Sequence, residues 1–142
     1  MTSPDVIVPF LFGLPTSLLG NLNIVKRAEE LGKELNIPVS EIDVSERMSS
    51  TLKFVKALAA VADRNGWKKI LVVAAPDHAW RCVRDLKKLG FEAEADDYFS
   101  KNGILLYDKN SEQWWTRSRF LFWLREVPIF LLPFWLYDKI AG

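Results

Sequence analysis

One cysteine, Cys82, and one histidine, His78, are present in 142 residues. A single cysteine excludes an intrachain disulfide and a cysteine-based metal cluster. One His and one Cys would leave a zinc ion dependent on carboxylates, a poor donor set, so no metal is expected. The missing disulfides fit a reducing compartment, and a cytoplasmic protein is expected. An excess of either charge is also missing: 19 basic residues face 18 acidic ones, for a net charge of +1. Without a basic excess there is no footprint for nucleic acid. The apolar run near the N-terminus, Val6 to Phe12, has no basic flank, so a signal peptide is not expected. No uninterrupted apolar stretch reaches the ~20 residues of a membrane span. The longest, Phe120 to Tyr137, is broken by Arg125, Glu126, Pro128 and Pro133. The glycine spacing of a dinucleotide or Walker loop is absent as well. The segment Gly13-Leu14-Pro15-Thr16-Ser17 offers hydroxyls, and it reads either as a plain connection or as a phosphate cradle.

The composition is that of a globular chain, 49% hydrophobic and 26% charged. The length suits one domain over residues 1–142, with a core large enough to need no staple. Asp5 to Phe12 reads as a first strand. Ile24, Ala28, Leu31 and Leu35 recur at helical spacing, with Asn21 or Asn23 as cap and Pro38 beyond the end. Val39 to Val44 is a short second strand. Ser49 or Ser50 caps a helix whose inner face is Leu52, Val55, Ala59 and Ala62, and which ends at Asn65-Gly66. A strand at 70–75, a helix at 77–89 with Ala79, Val83 and Leu86 inward, and a strand at 91–95 follow. Ile104 to Tyr107 reads as one more strand. A helix is expected from just after Ser111 to Val127, stopped by Pro128, and a last one from Ile129 to Ile140. Strands alternating with helices point to βαβ units, an α/β class and a mostly parallel sheet.

The chemistry concentrates at one break. The run Ile70 to Ala75 suits a strand buried on both faces, and it ends at Pro76-Asp77-His78. The carboxyl end of such a strand, beside a helix N-terminus, is where open α/β sheets bind ligands. The helix dipole favours neutral imidazole at His78, which suits an acid/base or hydrogen-bonding role. Arg81, one turn on, offers a planar fork for phosphate or carboxylate. Free N–H groups and Asp77 lie at the same end. The plainer alternative is that His78 only caps the helix while Arg81 pairs with Asp85. Ser50 and Thr51 would present hydroxyls to the same sheet edge, or simply cap their helix. Arg125-Glu126, inside an apolar helix, either faces solvent or reaches back to the pocket. Cys82 reads as a buried structural thiol. Trp114, Trp115, Trp123 and Trp135 give the helical C-terminus an aromatic character. That tail either completes the core, forms a homodimer surface, or touches a membrane surface through the Trp123 and Trp135 region.

The segment Val72-Val73-Ala74-Ala75-Pro76-Asp77-His78-Ala79-Trp80-Arg81 resembles the "VVTS-x-x-H-x-x-R-A" segment of the SanA/YdcF/ElyC-like domains. Glu46 and Thr51 resemble the "E-x-x-S-x-N-T" segment before that family's central helix. Gly66 to Ile70 resembles its lead into the next strand, and Arg125-Glu126 with the apolar helix after it resembles its C-terminal end. The likeness spans residues 22–142 in order. Met48, Ser50, Lys53 and Phe54 depart from the pattern, and the region after strand one is short by one βα unit. The resemblance implies a three-layer Rossmann-like fold in a bacterial domain of largely unknown function, with members tied to envelope polysaccharide or lipid-carrier metabolism. One member binds S-adenosylmethionine, but the resemblance fixes no cofactor. The residues it carries over are His78, Arg81, Thr51 and Glu126. The leading expectation is a domain that binds a small anionic ligand, phosphate- or nucleotide-like, with His78 as acid/base and Arg81 as clamp. Thr51, Ser50 and Asp77 would add contacts and Glu126 would orient a basic group. Turnover there would be phosphoester hydrolysis or transfer. The rival is a non-enzymatic interaction or dimerisation module that uses the aromatic helices.

Overall fold

The computed structural model describes residues 3–40 and 50–142. Strands β1 (Val6–Pro9), β2 (Lys69–Val73) and β3 (Glu92–Ala95) form one parallel sheet in the order β1-β2-β3. Val6 pairs with Ile70 and Pro9 with Val73, while Lys69 pairs with Glu92 and Val72 with Ala95. The helices are α1 (Leu19–Leu35), α2 (Thr51–Asn65), α3 (Pro76–Lys88), α4 (Tyr98–Lys101), α5 (Arg119–Leu131) and α6 (Phe134–Ala141). The class is α/β.

Successive strand residues point to opposite faces, and both faces are covered. Val6, Val8, Ile70 and Val72 pack against Phe54, Val55 and Leu58 of α2 and Cys82 and Leu86 of α3. Ile7 and Val73 pack on the other side against Ile24, Ala28 and Leu31 of α1 and Phe122 of α5. The sheet is therefore the middle of three layers, which is why β1 and the 70–75 run are apolar without alternation.

Several boundaries differ from the sequence reading, each for a local reason. β1 ends at Pro9, and after a last bond from Phe10 N–H to the Val73 carbonyl (2.8 Å) the chain turns away. Asn21 is not a cap. It lies inside α1, fully buried, where its Oδ1 accepts from Phe12 N–H (2.7 Å) and its Nδ2 donates to the Gly13 carbonyl (3.0 Å). It thus satisfies a loop whose backbone has no strand partner. Val39 extends the sheet by a single parallel bridge to Ile7, with Ser40 N–H donating to the Ile7 carbonyl (2.8 Å), and residues 41–44 of that expected strand lie outside the described residues, as do Glu46, Met48 and Ser49. Residues 104–107 are not a strand, because Leu106 has φ +70°, which breaks the pleat.

The helix expected after Ser111 starts later. Ser111 Oγ instead accepts from Leu14 N–H (3.2 Å) and from Thr116 Oγ1 (2.6 Å), and a 3₁₀ turn at Trp114–Thr116 precedes α5. Ser118 is the cap, accepting from Leu121 N–H (3.3 Å). Pro128 does not stop α5, which runs on to Leu131. Pro128 is on the exposed side of the helix, where water can satisfy the carbonyl that loses its partner.

Candidate functional site

The carboxyl ends of β1 and β2, the N-termini of α2 and α3, and the inner face of α5 meet at one cleft. It leaves about 70 Å³ of room for solvent, enough for a few waters or a small oxyanion. Phe10, Phe12, Thr51, His78, Arg81 and Arg125 are among its walls. Phe10 and Phe12 arrive there because the chain leaves the sheet after Pro9. Thr51 is there because Ser50 starts α2, with its Oγ accepting from Lys53 N–H at 3.1 Å. His78 and Arg81 share the inner face of α3 because they stand one turn apart.

These side chains form a continuous chain of polar contacts. Glu126 Oε1 lies 3.0 Å from Arg81 Nη1, Arg81 Nη2 donates to Thr51 Oγ1 (3.1 Å), and Thr51 Oγ1 lies 2.8 Å from His78 Nε2. Glu126 is fully buried, and Thr51, His78 and Arg81 are nearly so. Burial holds the His78 pKa well below 6.5, and the nearby Arg81 and Arg125 guanidiniums lower it further. The ring is therefore neutral at physiological pH. Arg81 fills one acceptor position of Thr51, and the remaining bond between Oγ1 and Nε2 takes its direction from the ring tautomer: with the ring proton on Nδ1, the hydroxyl donates to Nε2. This is the geometry of a hydroxyl facing a general base. Phe12 and Phe122 hold the imidazole, with centroids 5.6 and 6.5 Å away.

The cleft carries excess positive charge. Arg125 Nη1 lies 3.3 Å from the same Glu126 Oε1, so two guanidiniums share one carboxylate oxygen. Burial raises the Glu126 pKa while Arg81 and Arg125 pull it back. Arg125 is itself lowered by burial and by Arg81, and it stacks 4.1 Å over the Trp115 ring. Arg81 Nε and Glu126 Oε2 are buried without a hydrogen-bond partner. Whether Glu126 is ionised or neutral, at least one positive charge at the cleft is unmatched by these groups.

Arg81 does not pair with Asp85. Asp85 is held instead by Arg84 (3.0 Å) and by the Tyr137 hydroxyl, which donates to it at 3.0 Å. Burial raises the Asp85 pKa against these partners. Nor does Arg125-Glu126 face solvent: α5 turns both toward the cleft. Ser50 borders the cleft, but its hydroxyl donates to the Ala141 carbonyl (2.7 Å), tying α6 to α2. Asp77 is engaged elsewhere, accepting from the Tyr107 hydroxyl (2.7 Å) and pairing with Arg119 at 3.0 Å. Burial raises the Tyr107 pKa, and the Asp77 bond adds to this, so that hydroxyl stays a donor. Cys82 is buried with Sγ 3.6 and 3.7 Å from the two His78 ring nitrogens, and burial pushes its thiol pKa up, so it stays protonated. Gln113, Trp115 and Thr116 also line the cleft, and sequence spacing does not reveal them. Trp123 is only half-buried and packs inward at 5.3 Å on Phe122, whereas Trp135 is exposed.

The chain matches no family model, no curated protein and no solved structure.

Proposed function

We propose that this domain binds a small phosphate-bearing anion in the cleft between the N-termini of α2 and α3. One observation carries the reading: Arg81 and Arg125 converge on a single carboxylate oxygen at the sheet's ligand-binding edge. Buried cations that outnumber their anionic partners are costly. An oxyanion that accepts from both guanidiniums would cancel the excess through charge-assisted, forked hydrogen bonds. The N-termini of α2 and α3 open on the cleft, where the helix dipole favours negative charge. The small volume suits the phosphate group itself, with the remainder of a ligand lying toward the mouth near Trp115.

Neutral His78 gives the site a base for the Thr51 hydroxyl, and phosphoester hydrolysis or transfer is the reaction class this supports. Membership of the SanA/YdcF/ElyC-like domains belongs to the same proposal and rests on Thr51, His78, Arg81 and Glu126.

The test is thermal unfolding of the full chain in rising inorganic phosphate and phenyl phosphate. A ligand that binds only the native state at ten times its Kd adds about 1.4 kcal/mol of stability. Arg125→Gln, at a half-buried position, is expected to raise the Kd by about tenfold, the loss of one charge-assisted contact, which cuts that gain to about 0.4 kcal/mol at the same ligand concentration. A melting temperature that ignores both ligands up to about 50 mM, far above a millimolar Kd, overturns the proposal.

A further inference from the structure

Helices α5 and α6 present a second feature that the cleft does not use. Phe120, Leu124, Val127 and Leu131 follow one another at intervals of four, three and four residues, a single outward stripe on α5. All four are 49–75% exposed, and Phe130, Trp135 and Ile140 add 64%, 68% and 70%. The two charged residues in the middle of this stretch, Arg125 and Glu126, turn inward to the cleft. The seven side chains together expose apolar surface on the order of 1,000 Å².

The rim of this face is basic. Arg84 lies over the Trp80, Phe134 and Tyr137 rings, and Lys88 Nζ lies 5.6 Å from the Phe134 centroid. Trp80 in turn packs 5.5 Å from Phe130. Lys87 and Lys139 are exposed, and Arg119 begins α5 with its side chain 61% exposed. Arg84 and Arg119 are paired with Asp85 and Asp77, and Lys56 with Asp138, so the excess at this rim comes from Lys87, Lys88 and Lys139 against one exposed carboxylate, Glu94. The chain is almost neutral overall, so this clustering is a product of the fold.

We propose that the outer face of α5 and α6 lies on an anionic lipid surface. An apolar face rich in Phe and Trp, bordered by Lys and Arg, matches the acyl boundary and the phosphate headgroups together. Two-fold pairing with a second copy would instead bring the basic rims against each other. Among the described residues no helix is long and apolar enough to cross a membrane, so the contact is with the surface.

The experiment is co-sedimentation of the full chain with phosphatidylcholine vesicles, with and without about 30 mol% phosphatidylglycerol. Binding to the anionic vesicles is expected at about 0.1 M salt, with at least tenfold weaker partitioning at about 0.5 M or on phosphatidylcholine alone. The double variant Leu131→Glu/Trp135→Glu alters exposed positions, so it should keep its far-ultraviolet dichroism and cooperative unfolding and lose binding at least tenfold. Lys87→Glu/Lys88→Glu should lose the preference for anionic vesicles. A folded chain that stays in the supernatant with anionic vesicles overturns the proposal. So does a dimer in sedimentation velocity that Leu131→Glu disperses and vesicles do not.

Discussion

Lowering the pH should destabilise this protein through His78, in a direction the structure defines. The ring is 5% exposed, next to Arg81, with its Nε2 2.8 Å from the Thr51 hydroxyl oxygen. Burial and the two guanidiniums depress its pKa in the fold, whereas the unfolded chain titrates near 6.5. Below 6.5 the unfolded state therefore binds a proton that the folded state refuses. Stability from this residue is complete above pH 6.5 and falls as the pH drops toward the depressed folded value. The loss is at most about 1.4 kcal/mol for each pH unit below 6.5, and so no more than about 2 kcal/mol by pH 5. With a urea slope of about 2 kcal/mol/M, the midpoint should fall through this residue by up to about 1 M between pH 7 and pH 5. Glu126 and Asp85 act in the opposite direction, since their raised pKa values favour the protonated fold and their contribution fades as pH rises. The informative quantity is therefore the difference between the wild-type chain and His78→Gln, in which those groups cancel. The wild-type curve should fall more steeply toward pH 5 than the variant's. Parallel curves from pH 7 to pH 5 would falsify the neutral, buried imidazole and with it the proposed base.

Other substitutions probe how the cleft is built. Asn21→Leu removes the three side-chain bonds to the loop after β1 and strands the Phe12 N–H and the Gly13 carbonyl, for a cost of about 2–4 kcal/mol in urea unfolding. Gly13→Ala forces a side chain onto φ +88° and places its Cβ 2.8 Å from Ser111 Oγ and 2.9 Å from Thr116 Oγ1. A loss of about 1–3 kcal/mol is expected, and an unchanged melting temperature would show that the loop is not held as described. Tyr137→Phe deletes the hydroxyl that donates to the buried Asp85, at a cost of about 1.5–3 kcal/mol, and proteolysis of α6 should become faster.

Periodicity placed the helices reliably wherever one face met the sheet. Ile24, Ala28 and Leu31 repeat because α1 has one neighbour, and Ser50 and Gly66 bound α2 by capping chemistry that acts within a few residues. The boundaries that moved depend on contacts distant in sequence. Ser111 resembles a helix cap, but its hydroxyl is used 97 residues away at Leu14 N–H. Asn21 resembles a cap as well, until the loop after β1 requires it. Pro128 reads as a stop because local rules do not know that its side of α5 is open to water.

The site divides in the same way. Residue order alone determined that a βαβ unit ends at Pro76-Asp77-His78, and that His78 and Arg81 share a helix face, because a turn of helix is a local geometry. Which groups Arg81 would meet was a tertiary decision. Asp85, four residues on and of opposite charge, was the local partner. The fold gave Asp85 to Arg84 and Tyr137, and it brought Glu126 from α5 and Thr51 from α2 to Arg81 instead. The physical reason is burial: once α5 covers the sheet edge, a carboxylate and a guanidinium enclosed together have no water to turn to, and their mutual geometry outweighs spacing along the chain. The same packing that turned Arg125 and Glu126 inward left the outer stripe of α5 without a charge, a property that neither the composition nor the order of residues displays.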